Sequence, residues 1–148
     1  MKVPDTKTLL LLAWGTSLAA TLGSMNYSGI GFLGFGGMHL FPCELCWFQR
    51  ICMYPLTVVL AVAAFKASRG ALQASLVLAG VGAVLAAYHS LIQLAPNLEP
   101  AQCSIGSCTA IDYRVLGLTI PNQALLAFLV ILVCAGLAWR RGTQTAQA

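Results

Sequence analysis

Four apolar runs, each long enough to cross a bilayer, constrain this chain more than anything else in it. They extend from about Thr8 to Asn26, Leu45 to Phe65, Ala71 to Leu94 and Ile120 to Trp139, and none contains an aspartate or a glutamate. About twenty mostly apolar residues wind into a helix that spans the hydrocarbon core, where a helix satisfies its own backbone groups. The runs predict an all-α integral membrane four-helix bundle, a single domain over residues 1–148, with outward loops at about 27–44 and 95–119. Composition agrees, since only 8% of the residues are charged where a soluble domain carries about 25%. The net charge of +4 does not point to nucleic acid, because the cations stand singly or in pairs and form no basic stripe with interleaved aromatics. The connection after the first run is rich in glycine, at Gly29, Gly31, Gly34, Gly36 and Gly37, and reads as a flexible or tightly turning loop. Lys2 and Lys7 would also suit a signal peptide. The apolar run is long for one, however, and "SLAAT" is a poor cleavage site, so the segment is read as a span.

The cations set the orientation. Lys2 and Lys7 precede the first span, Lys66 and Arg69 join the second to the third, and Arg140 and Arg141 follow the fourth. All lie on one side of a four-span arrangement, and the positive-inside rule makes that side, with both termini, cytoplasmic. The other side holds Glu44, Glu99, Asp112 and Arg114. It also holds two cysteine pairs, Cys43/Cys46 and Cys103/Cys108, on the face where disulfides persist.

The stretch "PCELCWFQR" places a C-x-x-C motif where the second span begins. Pro42 is a natural entry residue and Glu44 suits a first helical turn. A helix N-terminus lowers the pKa of a nearby thiol, as C-x-x-C motifs commonly show. Arg50 follows Cys46 by four residues, which puts both on one helix face. There the cation would favour a Cys46 thiolate or hold negative charge on an electron acceptor, since an intramembrane arginine is costly and marks function. An arginine snorkelling to the outer interface fits the same position. For the dithiol, a static staple and half of a four-cysteine zinc site are the other readings. The spacing C-x-x-C with C-x-x-x-x-C is loose for zinc, and no metal is expected.

Cys103 and Cys108 lie in the loop "EPAQCSIGSCTAID". Closing so small a ring stabilises a fold by only about 2 kcal/mol. A disulfide there suits exchange with a visiting thiol, although a plain loop clip fits too. Cys52 and Cys134 stand alone in apolar runs and read as buried thiols. His39, in the glycine-rich loop, reads as solvated. His89 near the outer end of the third span has Gln93 one turn later on the same face. That pair fits either a satisfied structural histidine or a polar wall for an acceptor.

In order along the chain, "PCELCWFQR", "YHSLIQLAP", the outward second cysteine pair and "DYRVLGLTIPNQALLAF" resemble the DsbB/BdbC family of disulfide bond formation proteins. The resemblance covers nearly the whole chain. It implies a thiol:quinone oxidoreductase in the bacterial inner membrane, with its active cysteines on the periplasmic face. The implied partner is a reduced thioredoxin-fold thiol oxidase, DsbA- or BdbD-like, whose thiolate would attack the Cys103–Cys108 disulfide at Cys103. Cys108 would then exchange with a Cys43–Cys46 disulfide through Cys43, leaving Cys46 to pass electrons to the membrane quinone pool, a ubiquinone or a menaquinone. By the same resemblance Arg50 and His89, with Gln93 beside them, would line the quinone pocket. One departure stands out. The second pair is widely separated in the best-known DsbB members and close together here, as in shorter BdbC-type members.

Two rival readings make different demands. A vitamin K epoxide reductase-like quinone reductase typically carries its C-x-x-C later in the chain, whereas here it opens the second span. A non-enzymatic tetraspan protein with structural disulfides would lose stability, not turnover, on cysteine-to-serine substitution. A transporter usually needs an intramembrane charge pair or a coupling carboxylate, and no aspartate or glutamate lies within any span.

Overall fold

The computed structural model describes residues 4–29, 40, 42–98, 108–109, 114–115 and 117–145. Four helices dominate it: α1 (Thr6–Tyr27), α2 (Glu44–Lys66), α3 (Arg69–Leu94) and α4 (Ile120–Thr145). A 3-10 turn, Pro96–Leu98, follows α3. Two short strands, β1 (Arg114–Val115) and β2 (Leu118–Thr119), precede α4 as an antiparallel hairpin, with Arg114 opposite Thr119 and Val115 opposite Leu118. Gly117 turns that hairpin at φ +80°, a conformation that glycine adopts without a Cβ penalty. All four helices are long and apolar enough to cross a membrane, so the fold class is an all-α, four-helix membrane bundle.

Each helix packs against its neighbours in sequence, and α4 closes the ring against α1. Only Ala67 and Ser68 separate α2 from α3, which forces the two helices antiparallel. Ala67 ends α2 in the left-handed region, and the Ser68 side chain accepts a hydrogen bond from the Ala71 N–H at the start of α3. The core has three layers. At the α1 start, Leu9, Leu10, Ala63, Leu72, Ala135 and Ala138 meet. In the middle, Ala13, Leu56, Leu60, Ala79, Ala86, Phe128 and Ile131 fill the space. At the far end the layer consists of Cys43, Leu45, Ile92 and Cys108, with Cys46 against it.

Lipid is as apolar as leucine, so such helices are held together by close packing and interhelical hydrogen bonds. The many alanines of the core allow the close approach. Gly82 takes it furthest, because a Cβ there would overlap the ring of the fully buried Phe128. Hydroxyls join α1 to α2: the Thr57 Oγ1 lies 2.5 Å from Ser17 Oγ and 2.9 Å from Thr21 Oγ1, and Ser24 Oγ lies 3.2 Å from the Tyr54 hydroxyl. Pro55 sits inside α2, which continues past it to Lys66. Val58, Phe65, Val77, Val84 and Val133 point outward, as a lipid-facing surface requires.

Candidate thiol-exchange site

The far end of the bundle collects most of the chemistry that the sequence offers. Cys43 is the N-cap of α2 and Glu44 its first helical residue. From this start the chain carries Cys46 one turn on, and the two sulfurs lie 3.2 Å apart. Neither is disulfide-bonded, whereas Cys108 is. Cys103 lies outside the described residues, as do His39, Glu99 and Asp112.

His89 ties these pieces together. It reaches the same layer from the outer end of α3 and is almost fully buried, at 2% exposure. Its Nε2 stands 3.7 Å from Cys43 Sγ and 3.1 Å from the backbone carbonyl oxygen of Cys108. Its Nδ1 stands 3.0 Å from the Gln49 side-chain amide. A histidine expected to line an acceptor pocket thus stands between one cysteine pair and the backbone of the other.

Arg50 and Gln93 flank this cluster. The Arg50 guanidinium donates to the Ser24 carbonyl on α1 at 3.3 Å and lies 5.5 Å from the Trp47 ring. Gln93 accepts a hydrogen bond from the Thr119 hydroxyl at 2.8 Å, which fastens α3 to the hairpin. Tyr27 donates to Gln123 at 2.9 Å and so ties the end of α1 to α4. Cys52 is buried in the middle layer and Cys134 packs against it, both as free thiols.

The environment makes Cys43 acidic. Its hydrogen bond with the Cys46 thiol pulls its pKa down most, burial opposes that pull, and His89 adds to it, leaving the value well below the usual 9.0, at about 4. Between those values the folded, reduced protein holds a thiolate where an unfolded chain holds a thiol. This contribution to stability is full above pH 9.0 and fades as the pH falls, vanishing once Cys43 itself protonates near pH 4. Alkylation of Cys43 in the reduced protein, followed by mass spectrometry, should therefore stay nearly level from about pH 8 to about pH 6. An ordinary thiol slows about tenfold per unit over that range. A tenfold fall per unit at Cys43 would show that the thiolate is not held.

The sulfurs of Cys43 and Cys46 and a ring nitrogen of His89 all lie within 4.8 Å of one another, close enough to be considered as a metal site. Nε2, however, faces a carbonyl oxygen, which can only accept. Nε2 therefore carries a hydrogen in this arrangement and has no lone pair to offer a cation.

Sequence reasoning did not single out Gln49, Ser24 or Thr119. Gln49 had left a signal: it is a polar residue beside Arg50 in a largely apolar helix, buried at 6% exposure. Such a group needs a partner.

Two cysteine thiols at a helix start, in one cluster with a buried histidine and a disulfide-bonded cysteine, suit thiol–disulfide exchange in a membrane. The family model described as "Disulfide bond formation protein DsbB" matches residues 8–138. The chain belongs to the DsbB family. Curated relatives agree. It is 40% identical over 129 residues to the "Probable disulfide formation protein C" of Bacillus cereus, covering 85% of this chain and 88% of that protein. It is 36% identical over 126 residues to the "Probable disulfide formation protein" of Coxiella burnetii, covering 82% of this chain and 81% of the relative. The Oceanobacillus iheyensis relative of the same description is 38% identical over 130 residues, 84% of each chain. No solved structure matches the chain. A DsbB-family chain with four membrane-crossing helices is an oxidoreductase of disulfide bond formation, acting on thiol–disulfide partners in a membrane setting.

Proposed function

We propose that this protein reoxidises a thioredoxin-fold thiol oxidase outside the cytoplasm and passes the electrons through two cysteine pairs to a membrane quinone. The observation that carries this reading is the outer layer itself, where Cys43, Cys46, His89 and Cys108 share one buried cluster at the end of a membrane bundle. The partner's thiolate attacks Cys103, the Cys103–Cys108 bond breaks, and the freed Cys108 attacks Cys43. The Cys43–Cys46 bond then breaks and leaves its electron pair on Cys46, while the partner's second thiolate attacks its own sulfur in the partner–Cys103 bond, so that the partner leaves oxidised and Cys103 is freed as a thiolate. Each exchange replaces one sulfur–sulfur bond with another, so two electrons move inward and nothing else is consumed.

The residues present fit a quinone. Trp47, Phe48 and Ile51 are exposed to lipid beside Cys46 and offer an apolar flank to a planar ring. Arg50 has five N–H donors, and the Ser24 carbonyl takes one of them. Bound there, a ubiquinone or menaquinone would supply the two-electron acceptor that returns Cys43 and Cys46 to the disulfide. Arg50 would orient its carbonyl oxygen and stabilise the negative charge that gathers there.

Placement in the inner membrane of a bacterium, cysteines on the periplasmic side, rests on charge. Lys7, Lys66, Arg69, Arg140 and Arg141 lie at the end of the bundle opposite the cysteine layer, where α1 and α3 begin and α2 and α4 end.

The test is quinone reduction by the purified protein in detergent, with a reduced thioredoxin-fold oxidase as donor. Wild type should turn over, and Cys103→Ser should not while keeping its helical content. Turnover surviving in Cys103→Ser would remove the second pair from the route. Untouched quinone with both proteins folded would remove the acceptor.

A further inference from the structure

Gln49 has no part in the relay above, yet this one side-chain amide of α2 is buried and meets His89 directly. The Cys108 carbonyl fixes what the two can do. That carbonyl has no proton, so Nε2 of His89 must supply one, and a neutral ring then leaves Nδ1 as an acceptor. The Gln49 amide stands 3.0 Å from Nδ1 and donates to it. Every polar atom of the ring then has a partner of the right kind, in a layer where a mismatch would be costly.

We propose that Gln49 is a positioning residue that holds His89 as the Nε2–H tautomer, so that one N–H, shared with the Cys108 carbonyl, faces Cys43 Sγ. It works in either protonation state of the ring. When His89 takes a second proton, the Gln49 amide turns over and its oxygen accepts from Nδ1–H. Leucine can do neither, and glutamate can only accept. The inference rests on the reading that Cys43 is an exchange thiol. The step it serves closes the relay within the protein: the Cys103 thiolate attacks Cys108 Sγ of a Cys43–Cys108 bond, the Cys103–Cys108 bond re-forms, and the electron pair leaves on Cys43 Sγ. The Nε2–H stabilises that leaving thiolate by donation, and no proton has to move.

Among the described residues, few charges compete at His89. From α2 the ring faces Cys43, with Cys46 against Cys43 and Arg50 a turn beyond. From the loop it faces the Cys108 carbonyl. α4 carries no ionisable side chain before Arg140 apart from Cys134, which packs in deeper layers.

The experiment titrates Cys43 by alkylation and mass spectrometry in a Cys46→Ser background, which removes the larger influence of the neighbouring thiol. Neither quinone nor partner is needed, so its outcome is separate from that of the relay. Gln49→Leu should raise the Cys43 midpoint by about one pH unit, a tenfold loss of thiolate below it. Gln49→Glu should keep the midpoint or lower it, since a carboxylate accepting from Nδ1–H favours the imidazolium. If both variants leave the midpoint where it was, Gln49 only fills space and the proposal fails. Nitrogen NMR of labelled His89 gives a second reading on the unsubstituted protein. A proton on Nε2 is expected, and one on Nδ1 alone would overturn the proposal even if the variants fail to fold.

Discussion

Replacing Cys46 with serine should stop thiol oxidation and leave the bundle standing. The sulfur of Cys46 is 3.2 Å from that of Cys43, and a serine hydroxyl can neither form the sulfur–sulfur bond nor leave as a stable anion at neutral pH. Without that bond the inner pair has no oxidised state, and turnover should fall by on the order of a thousandfold or more, as when a nucleophile is removed from other enzymes. The packing seams that hold α1 to α4 lie in the layers below, and Cys46 only borders the outer one. Stability should therefore change by less than about 1 kcal/mol. Helical content and detergent unfolding measured beside donor oxidation separate the two effects. Cys134→Ala is the control, since Cys134 is a free thiol remote from the cluster, and it should keep full activity. A Cys46→Ser protein that still oxidises its donor at a tenth of the normal rate or more would remove the C-x-x-C pair from the chemistry.

Gly82→Val should damage the fold, with little to do with the redox site. Gly82 lies where α3 meets α4, and even a lone Cβ there would overlap the Phe128 ring, which is fully buried. Overpacking of this kind costs roughly 1–3 kcal/mol, and the valine, with two further methyl groups, belongs at the upper end. A membrane bundle gains its stability from such contacts and not from hiding apolar surface, so the loss falls on the term that matters most. Unfolding in mixed micelles of denaturing and mild detergent measures it. The milder change Gly82→Ala should be partly rescued by Phe128→Leu, which frees space on the opposite helix. Additive losses in the double variant would show that the two residues are not in contact.

Much of this was written in the sequence, and what was not has a common cause. Four apolar runs free of acid become four helices, because backbone in hydrocarbon has few alternatives. The dithiol at a helix start was legible in "PCELC", since proline, an acidic residue and a cysteine spacing of three all favour a helix N-terminus. Direction across the bundle was not legible. Spacing put Arg50 on the face of Cys46, but its long side chain reaches the Ser24 carbonyl on α1. Gln49, Gly82 and the hydroxyls of Ser17, Thr21 and Thr57 gain their meaning only from a residue on another helix. The spans carry no strong polar stripe, so periodicity did not say which face turned inward. His89 was noticed for its place beside Gln93, yet Gln93 bonds to Thr119 and His89 to Gln49, in different directions.

The two-residue connection between α2 and α3 also bears on how the protein is made. Cys43, Cys46 and Gln49 stand at one end of this helical pair, and His89 returns to them from the other arm. Residues forty or more positions apart are thus brought together by one tight turn, with little loop-closure entropy to overcome. α2 and α3 can enter the membrane as a unit, and their pairing by itself sets the histidine against the dithiol. The dithiol and its histidine are thus brought together by this hairpin alone, whereas Cys108 joins them from the chain that follows it.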